Sequence, residues 1–117
     1  MPKLNAAATA ALTPADYRAL FERIVATGEP YGPPGNDYGL DYTRLNLVRT
    51  RRIEKTLKVL PEAQLALEQA RPQIWLVITE PWCGDSAQCL PVLQGLAEFS
   101  PNIDLRIALR DQDTTLI

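Results

Sequence analysis

Cys83 is the residue of this sequence whose type and position best suit chemistry. It stands in the segment Thr79-Glu80-Pro81-Trp82-Cys83-Gly84-Asp85-Ser86, between a short apolar run and a predicted helix. The unpaired backbone N–H groups and the dipole at the start of a helix favour an anion, and the thiolate is the nucleophilic form of cysteine. Gly84 allows a close approach to the backbone, and Trp82 can cover the site without blocking it. We therefore predict a reactive thiol at Cys83.

Asp85 and Cys89 bear on that prediction in different ways. The Asp85 carboxylate would repel a neighbouring thiolate, but it could also cap the helix, and the sequence does not decide between the two. Cys89 follows Cys83 by six positions, which in a continuous helix is a rise of about 9 Å onto the far side of the axis. Because disulfides need Cα atoms within about 7 Å, we expect no bond between the two thiols. We predict instead that Cys89 is a small buried residue beside Leu90 and Leu93.

The composition excludes several other kinds of site. The 117 residues include two cysteines and no histidine, which removes Cys/His nucleophilic pairs and zinc sites built on imidazole. Two thiols are too few for a closed zinc site, so we predict neither a metal nor a cofactor. A net charge of -2 gives no reason to expect a nucleic acid partner.

Length and hydropathy favour one soluble domain. The longest apolar run, Ile74 to Ile78, has the length of a strand and is far shorter than a membrane span. Met1 to Ala11 is rich in alanine but lacks the apolar core of a secretory signal. The sequence therefore predicts a cytoplasmic protein without a membrane partner.

Residues 1–72 are predicted to be helical. Thr13 and Pro14 form a helix start, the apolar stripe that follows lies on one helical face, and Gly28 ends the helix. Glu29 to Gly39 is rich in proline and glycine and is predicted to be a loop. A second helix from Asp41 carries roughly helix-spaced apolar residues, and a short helix over Pro61 to Ala70 is expected to face inward through Leu65 and Ala66. The two longer stripes are Tyr17, Leu20, Phe21, Ile24 and Val25, then Leu45, Val48, Ile53, Leu57 and Leu60.

The second helix is strongly basic. Between Arg44 and Lys58 it carries six basic residues against the single acid Glu54. A solvated helix face is the favoured interpretation, and an anionic partner is the alternative.

Residues 73–117 are predicted to contain a strand–helix–strand unit. Ile74 to Ile78, which includes Trp75 as a core residue, has the continuous apolar character of a central strand buried on both faces. Ser86 to Phe99 shows helical spacing, and Ile103 to Leu109 alternates like a strand with one wetter face. Such a unit predicts parallel strands with a right-handed crossover. Because two strands make an unstable sheet, we expect a partner chain, a second copy or a C-terminal half to complete it.

The residues around Cys83 resemble the thioredoxin family. A buried strand leads into Trp82-Cys83-Gly84, and Pro91 follows at the place where thioredoxins kink the active-site helix. Thr79 to Gln88, Pro91-Val92 and Asn102 to Asp111 are most similar to a bacterial branch of thioredoxin-like proteins with a helical N-terminal region and a Trp-Cys-Gly-Asp motif. The resemblance implies a thioredoxin-like α/β fold with Cys83 as the catalytic residue.

Two departures from the family limit what the resemblance implies. Ser86 occupies the position of the resolving cysteine, so Cys83 would act as a monothiol. The family places a cis-proline loop after the second strand, and the sequence stops at Ile117, so the resemblance predicts that the C-terminal part of the fold is absent from this sequence.

Two functions from different classes remain open. The first is a thiol-redox protein, a thiol-disulfide oxidoreductase of monothiol type, whose partners are proteins or low-molecular-weight thiols and disulfides. The second is a non-catalytic interaction module that completes its sheet with a partner or a second copy.

Overall fold

The described part of the chain folds as four helices followed by a strand–helix–strand unit. It is known from a computed structural model that describes residues 2–28 and 39–112. Its elements, in order, are α1 (Pro2–Ala10), α2 (Pro14–Thr27), α3 (Gly39–Thr56), α4 (Pro61–Glu68), β1 (Gln73–Thr79), α5 (Gly84–Ala97), β2 (Ile103–Leu109) and a 3-10 turn (Arg110–Gln112). The predicted loop over 29–38 lies outside the described residues, and Gly39 belongs to α3 rather than to a loop.

The ends of α2 are set by the predicted capping residues. Thr13 has an extended backbone, and its hydroxyl accepts a hydrogen bond from the Asp16 N–H at 3.1 Å. Gly28 has a φ of 68°, and its N–H donates to the Ile24 carbonyl. A residue with a Cβ would be strained in this left-handed conformation, so glycine ends the helix here.

The core joins the helical region to the strands. Tyr17 and Phe21 of α2 contact each other edge to face, with their ring centroids 5.8 Å apart. They pack in one cluster with side chains of α3, α5 and β2, namely Leu47, Leu90, Leu105, Ile107 and Leu109. The odd-numbered residues of Ile103 to Leu109 are all buried, as the predicted alternation requires, but Ala108, which was expected on the wetter face, is buried as well.

The two strands are parallel, as predicted, but their places in the sheet differ from the prediction. β1 pairs with β2 in the register that runs from Gln73 opposite Ile103 to Thr79 opposite Leu109. The other edge of β2 carries an antiparallel bridge to Leu12, whose N–H donates to the Ile107 carbonyl at 2.8 Å and whose carbonyl accepts from the Ile107 N–H at 2.9 Å. Among the described residues β2 is therefore the inner strand and β1 the edge strand.

The prediction that β1 is buried on both faces is wrong for this part of the chain. Ile74 is 56% exposed, and the middle of the strand is only half-buried. Trp75 is half-buried and packs against the core cluster, while its indole N–H donates to Gln73 Oε1 at 2.8 Å. β1 thus has the sequence of a central strand in an edge position.

The packed face of α3 also differs from the prediction. Leu45 and Val48, expected to face inward, are 43% and 62% exposed. The face of α3 that is buried consists mainly of small polar residues, Thr43, Asn46 and Thr50, together with Leu47 and Gly39. The physical reason is that two of these side chains meet backbone carbonyl groups, which need donors rather than apolar atoms.

The face predicted for α4 is wrong as well. Leu65 is 59% exposed and Ala66 is exposed, whereas Ala63, Gln64 and Leu67 are half-buried. Gln64 Nε2 donates to the Val59 carbonyl at 2.8 Å, which ties this face to the preceding loop. In an eight-residue helix the few apolar residues fit either face, so spacing alone does not choose between them.

Candidate functional site

Cys83 lies at the start of α5, where the sequence placed it. Its N–H donates to the Glu80 carbonyl at 3.0 Å, which closes a turn directly after β1. Its own carbonyl accepts from the Ala87 N–H at 3.2 Å, the first hydrogen bond of the helix. Cys83 is therefore the N-cap residue, half-buried and with an extended backbone, and its side chain makes no capping bond.

Neither polar side chain of the first turn, Asp85 or Ser86, forms a hydrogen bond with the Cys83 thiol. The Ser86 hydroxyl donates to the Cys83 carbonyl at 3.1 Å, so it contacts the backbone of the cysteine. Asp85 is exposed in the first turn. Within the described ranges no hydrogen bond reaches the Cys83 sulfur, and no side chain caps α5.

Trp82 is held by the segment that follows β2, at the same end of the sheet. The guanidinium carbon of Arg110 lies 5.3 Å from the centroid of the Trp82 ring, which is the geometry of a cation–π contact. The indole Nε1 is buried, and it has no hydrogen-bond partner among the residues that the structure describes. The residue that follows β2 thus fixes the aromatic side chain next to Cys83.

Helix α3 holds the backbone on both sides of Cys83. Asn46, which is fully buried, donates from Nδ2 to the Pro81 carbonyl at 3.0 Å. The Thr50 hydroxyl donates to the Ala87 carbonyl at 2.9 Å. In a regular helix that carbonyl would receive the N–H of the residue four positions later, and here that residue is Pro91, which has none. Thr50 therefore replaces the donor that the predicted helix-kinking proline removes.

Arg49 approaches the first turn of α5 from the same face of α3. Its Nη1 donates to Asn46 Oδ1 at 3.1 Å. The same nitrogen lies 3.3 Å from the position that a Cβ on Gly84 would occupy. The absence of a side chain at Gly84 thus lets a cation come close to the cysteine turn.

A buried acid and a buried tyrosine lie behind the site. Glu80 is 2% exposed, and its Oε1 accepts from the Asp111 N–H at 2.8 Å, which joins the two segments that follow the strands. Burial raises the pKa of the Tyr17 hydroxyl above its usual range, and the nearby negative charges of Glu80 and Cys83 raise it further. Tyr17 of α2 therefore belongs to the surroundings of Cys83.

Several of these residues escaped the sequence analysis. In the sequence Glu80 stands out only as part of the motif, and Tyr17 only as part of an apolar stripe. The signal that could have identified α3 is the spacing of its small polar residues at 43, 46 and 50, which fall on one helical face. Arg49 and Arg110 carry no local signal, because their role depends on which elements pack together.

The prediction for Cys89 is wrong. Cys89 is exposed, whereas the buried residues of α5 are Ala87, Leu90 and Pro91. Each helical residue turns by about 100°, so Cys89 faces away from a surface centred on positions 87 and 91. Both cysteines are free.

Two negative findings apply to the described ranges, 2–28 and 39–112. No three cysteine or carboxylate side chains there are grouped so that they could hold a metal ion. None of the helices there combines the length and the hydropathy needed to cross a membrane.

Two parallel strands joined by a helix that begins at a cysteine and contains a proline define a thioredoxin-like α/β protein. In agreement with this class, a family model described as thioredoxin matches residues 32–117. The chain belongs to this thioredoxin family. The matched residues include α3 and α4 as well as the strand–helix–strand unit. No curated protein and no solved structure gives a significant match.

Proposed function

We propose that this protein carries out thiol-disulfide exchange through Cys83 as a monothiol. The observation that supports the proposal most is that Cys83 is the N-cap residue of the 14-residue helix α5 and that its side chain forms no capping hydrogen bond. First-turn N–H groups that no side chain satisfies stabilise a nearby anion, and the helix dipole acts in the same direction. Cys83 is half-buried rather than fully enclosed, as is required of a thiol that meets a substrate.

The surroundings of Cys83 support the proposed monothiol character. Ser86, three positions along the helix, bonds to the Cys83 carbonyl and has no sulfur to form a disulfide. Cys89 is exposed on another face of α5, about 9 Å along the axis, which is beyond disulfide reach in an intact helix. We therefore propose that an external thiol resolves a mixed disulfide on Cys83.

The exchange has two balanced steps. The Cys83 thiolate attacks one sulfur of a substrate disulfide, forms a mixed disulfide, and releases the other sulfur as a thiolate that takes up a proton. An external low-molecular-weight thiol, as its thiolate, then attacks the substrate sulfur of the mixed disulfide. This attack regenerates the Cys83 thiolate and transfers the substrate sulfur to the external thiol. We propose proteins and small thiols or disulfides of the cytoplasm as the partners in this exchange.

The pH dependence of Cys83 alkylation tests the proposal. Native protein with the Cys89→Ser change is treated with iodoacetamide across a pH series, and the modified fraction is read by mass spectrometry beside a denatured control. The native midpoint should lie below the denatured one, because only the folded chain supplies the helix N-terminus. A native midpoint at or above the denatured value, in a chain shown to be folded, would remove the basis of the proposal.

Turnover provides the second test. With a glutathione mixed disulfide as substrate and glutathione as the external thiol, Cys83→Ser should abolish activity. The matched change Cys89→Ser should leave it unaltered. Equal activity in the two variants would contradict a role for Cys83.

A binding module is the second candidate function, and the edge position of β1 favours it. Exposed edge strands usually resist pairing through charged residues or proline, and residues 73–79 contain neither. A bound partner strand would cover Ile74, which is 56% exposed. This function predicts a stable complex or dimer in Cys83→Ser as well, and a monodisperse monomer by light scattering would count against it.

A further inference from the structure

Arg49 belongs to the basic stretch of α3, but its charge is neither fully exposed to solvent nor neutralised by an ion pair with a described residue. Arg44 forms an ion pair with Asp41 at 3.5 Å, and Arg51 forms one with Glu22 at 3.4 Å. Arg49 is half-buried, and within the described ranges its side chain bonds to the neutral amide of Asn46. Among the described residues no carboxylate lies within ion-pair distance of it.

The position of Arg49 would be unfavourable without a neighbouring anion. Its guanidinium lies against Gly84, the first residue of α5. The N-terminus of a helix carries a partial positive charge, so a cation there is repelled rather than attracted. Asn46 nevertheless holds the guanidinium in place, and Asn46 is itself anchored to the Pro81 carbonyl. The guanidinium of Arg49 and the partial positive charge of the α5 N-terminus therefore both lie at the turn that carries Cys83.

We infer that Arg49 is a positioning residue that stabilises the thiolate of Cys83 and so sets the pH range in which the thiol reacts. The inference rests on the proposed function, since it names the side chain that prepares the nucleophile. It also gives one basic residue of α3 a function. If the basic stretch were only a solvated face, this residue would have none.

The other charged and titratable groups around the cysteine do not supply this stabilisation. They come from each element packed against the turn: Tyr17 from α2, Glu80 after β1, Asp85 in α5, and Arg110 and Asp111 after β2. Glu80 and Asp85 oppose a thiolate when ionised. Arg110 is placed over Trp82 and pairs with Asp111 at 3.4 Å, so its charge is partly compensated. Arg49 is the cation in this group that forms no ion pair with the residues that the structure describes.

The test compares Cys83 alkylation midpoints in four proteins that all carry Cys89→Ser. They are the parent, Arg49→Gln, Arg49→Lys and Arg52→Gln, where the last removes one charge from an exposed position of the same helix. Arg49→Gln should raise the midpoint by about half a pH unit or more, since a nearby opposite charge shifts an ionisation by about that amount when it is partly exposed. Arg49→Lys should restore most of the parent value, and Arg52→Gln should leave it unchanged. In 1 M salt the difference between the parent and Arg49→Gln should shrink.

The outcomes separate this inference from the proposed function. The parent against its denatured control tests whether the fold prepares a thiolate at all, whereas Arg49→Gln against the parent tests the arginine. Equal midpoints in Arg49→Gln and the parent, with both proteins folded by thermal melting, would overturn the inference. A lysine variant that behaves like the glutamine variant would overturn it too, because the positive charge would then not be the cause.

Discussion

The hydrogen bond from Thr50 to the Ala87 carbonyl makes a quantitative prediction about how α3 supports the site. Thr50→Val keeps the shape of the side chain and removes only the hydroxyl. Thr50 is 8% exposed and Ala87 4%, so the carbonyl would be left buried without a donor. Such a group costs about 1–3 kcal/mol, and in a chain of this length each kcal/mol corresponds to roughly 3–6 °C in Tm. The assay is urea unfolding followed by tryptophan fluorescence, with Tm by calorimetry.

The assignment of this cost to Pro91 is tested by a double-mutant cycle. Pro91→Ala restores an N–H that can reach the Ala87 carbonyl inside α5, so Thr50→Val should cost about 1 kcal/mol less in that background. Thr56→Val is the matched control, because its hydroxyl donates to the Arg52 carbonyl at an exposed helix end, and it should change stability by less than about 0.5 kcal/mol. Equal costs of Thr50→Val in both backgrounds would refute the reasoning.

Three further predictions concern packing and ionisation. Gly95→Ala should fail to add the roughly 1 kcal/mol of stability that alanine normally gives in a helix, because its Cβ would overlap Leu57. When Leu57→Ala is already present, Gly95→Ala should add that stability, as measured by chemical unfolding. Burial raises the pKa of Tyr17 above its ordinary 10.0, so the contribution of the neutral hydroxyl to stability is complete below pH 10 and is lost as the pH rises above it. The free energy of unfolding of Tyr17→Phe should therefore depend less on pH in the alkaline range. An unchanged dependence on alkaline pH would contradict this. Hydrogen bonding from Arg18 lowers the pKa of Glu22 below 4.5, so its contribution is present above pH 4.5 and lost as the pH falls; Glu22→Gln should flatten the acid limb of the stability curve measured by circular dichroism.

The parts of the fold that follow from local rules could be predicted. The hydroxyl of Thr13 and the freedom of Gly28 to adopt a positive φ each act within a few residues, so α2 was predicted with its ends and its buried stripe. The period of two over Ile103 to Leu109 likewise needs only one covered face. The position of Cys83 at a helix start followed from the apolar run before it and the helical spacing after it.

The faces that pack against backbone could not be predicted from apolar spacing. α3 turns Val48 to solvent and buries Asn46, because its partner is a segment with carbonyl groups at Pro81 and Ala87 that lack donors. The Ala87 carbonyl lacks its helical donor because of Pro91, about forty residues further along the chain than the α3 residues that pack there. A pattern search that equates burial with apolar residues therefore chooses the wrong side of this helix.

The same dependence on partners explains why the sequence analysis named the motif residues of the candidate site but not the residues that α3 brings to it. Cys83 is identified by its own type and by the helix that it begins, both of which are local. Asn46 and Arg49 matter because α3 lies across the start of α5, and the closeness of that crossing is permitted by Gly84. Were the crossing shifted by one helical turn, Arg49 would be an ordinary exposed charge and the cysteine would retain only the helix dipole. The chemistry that we propose for Cys83 thus depends on the packing of α3 against α5 as much as on the motif around it.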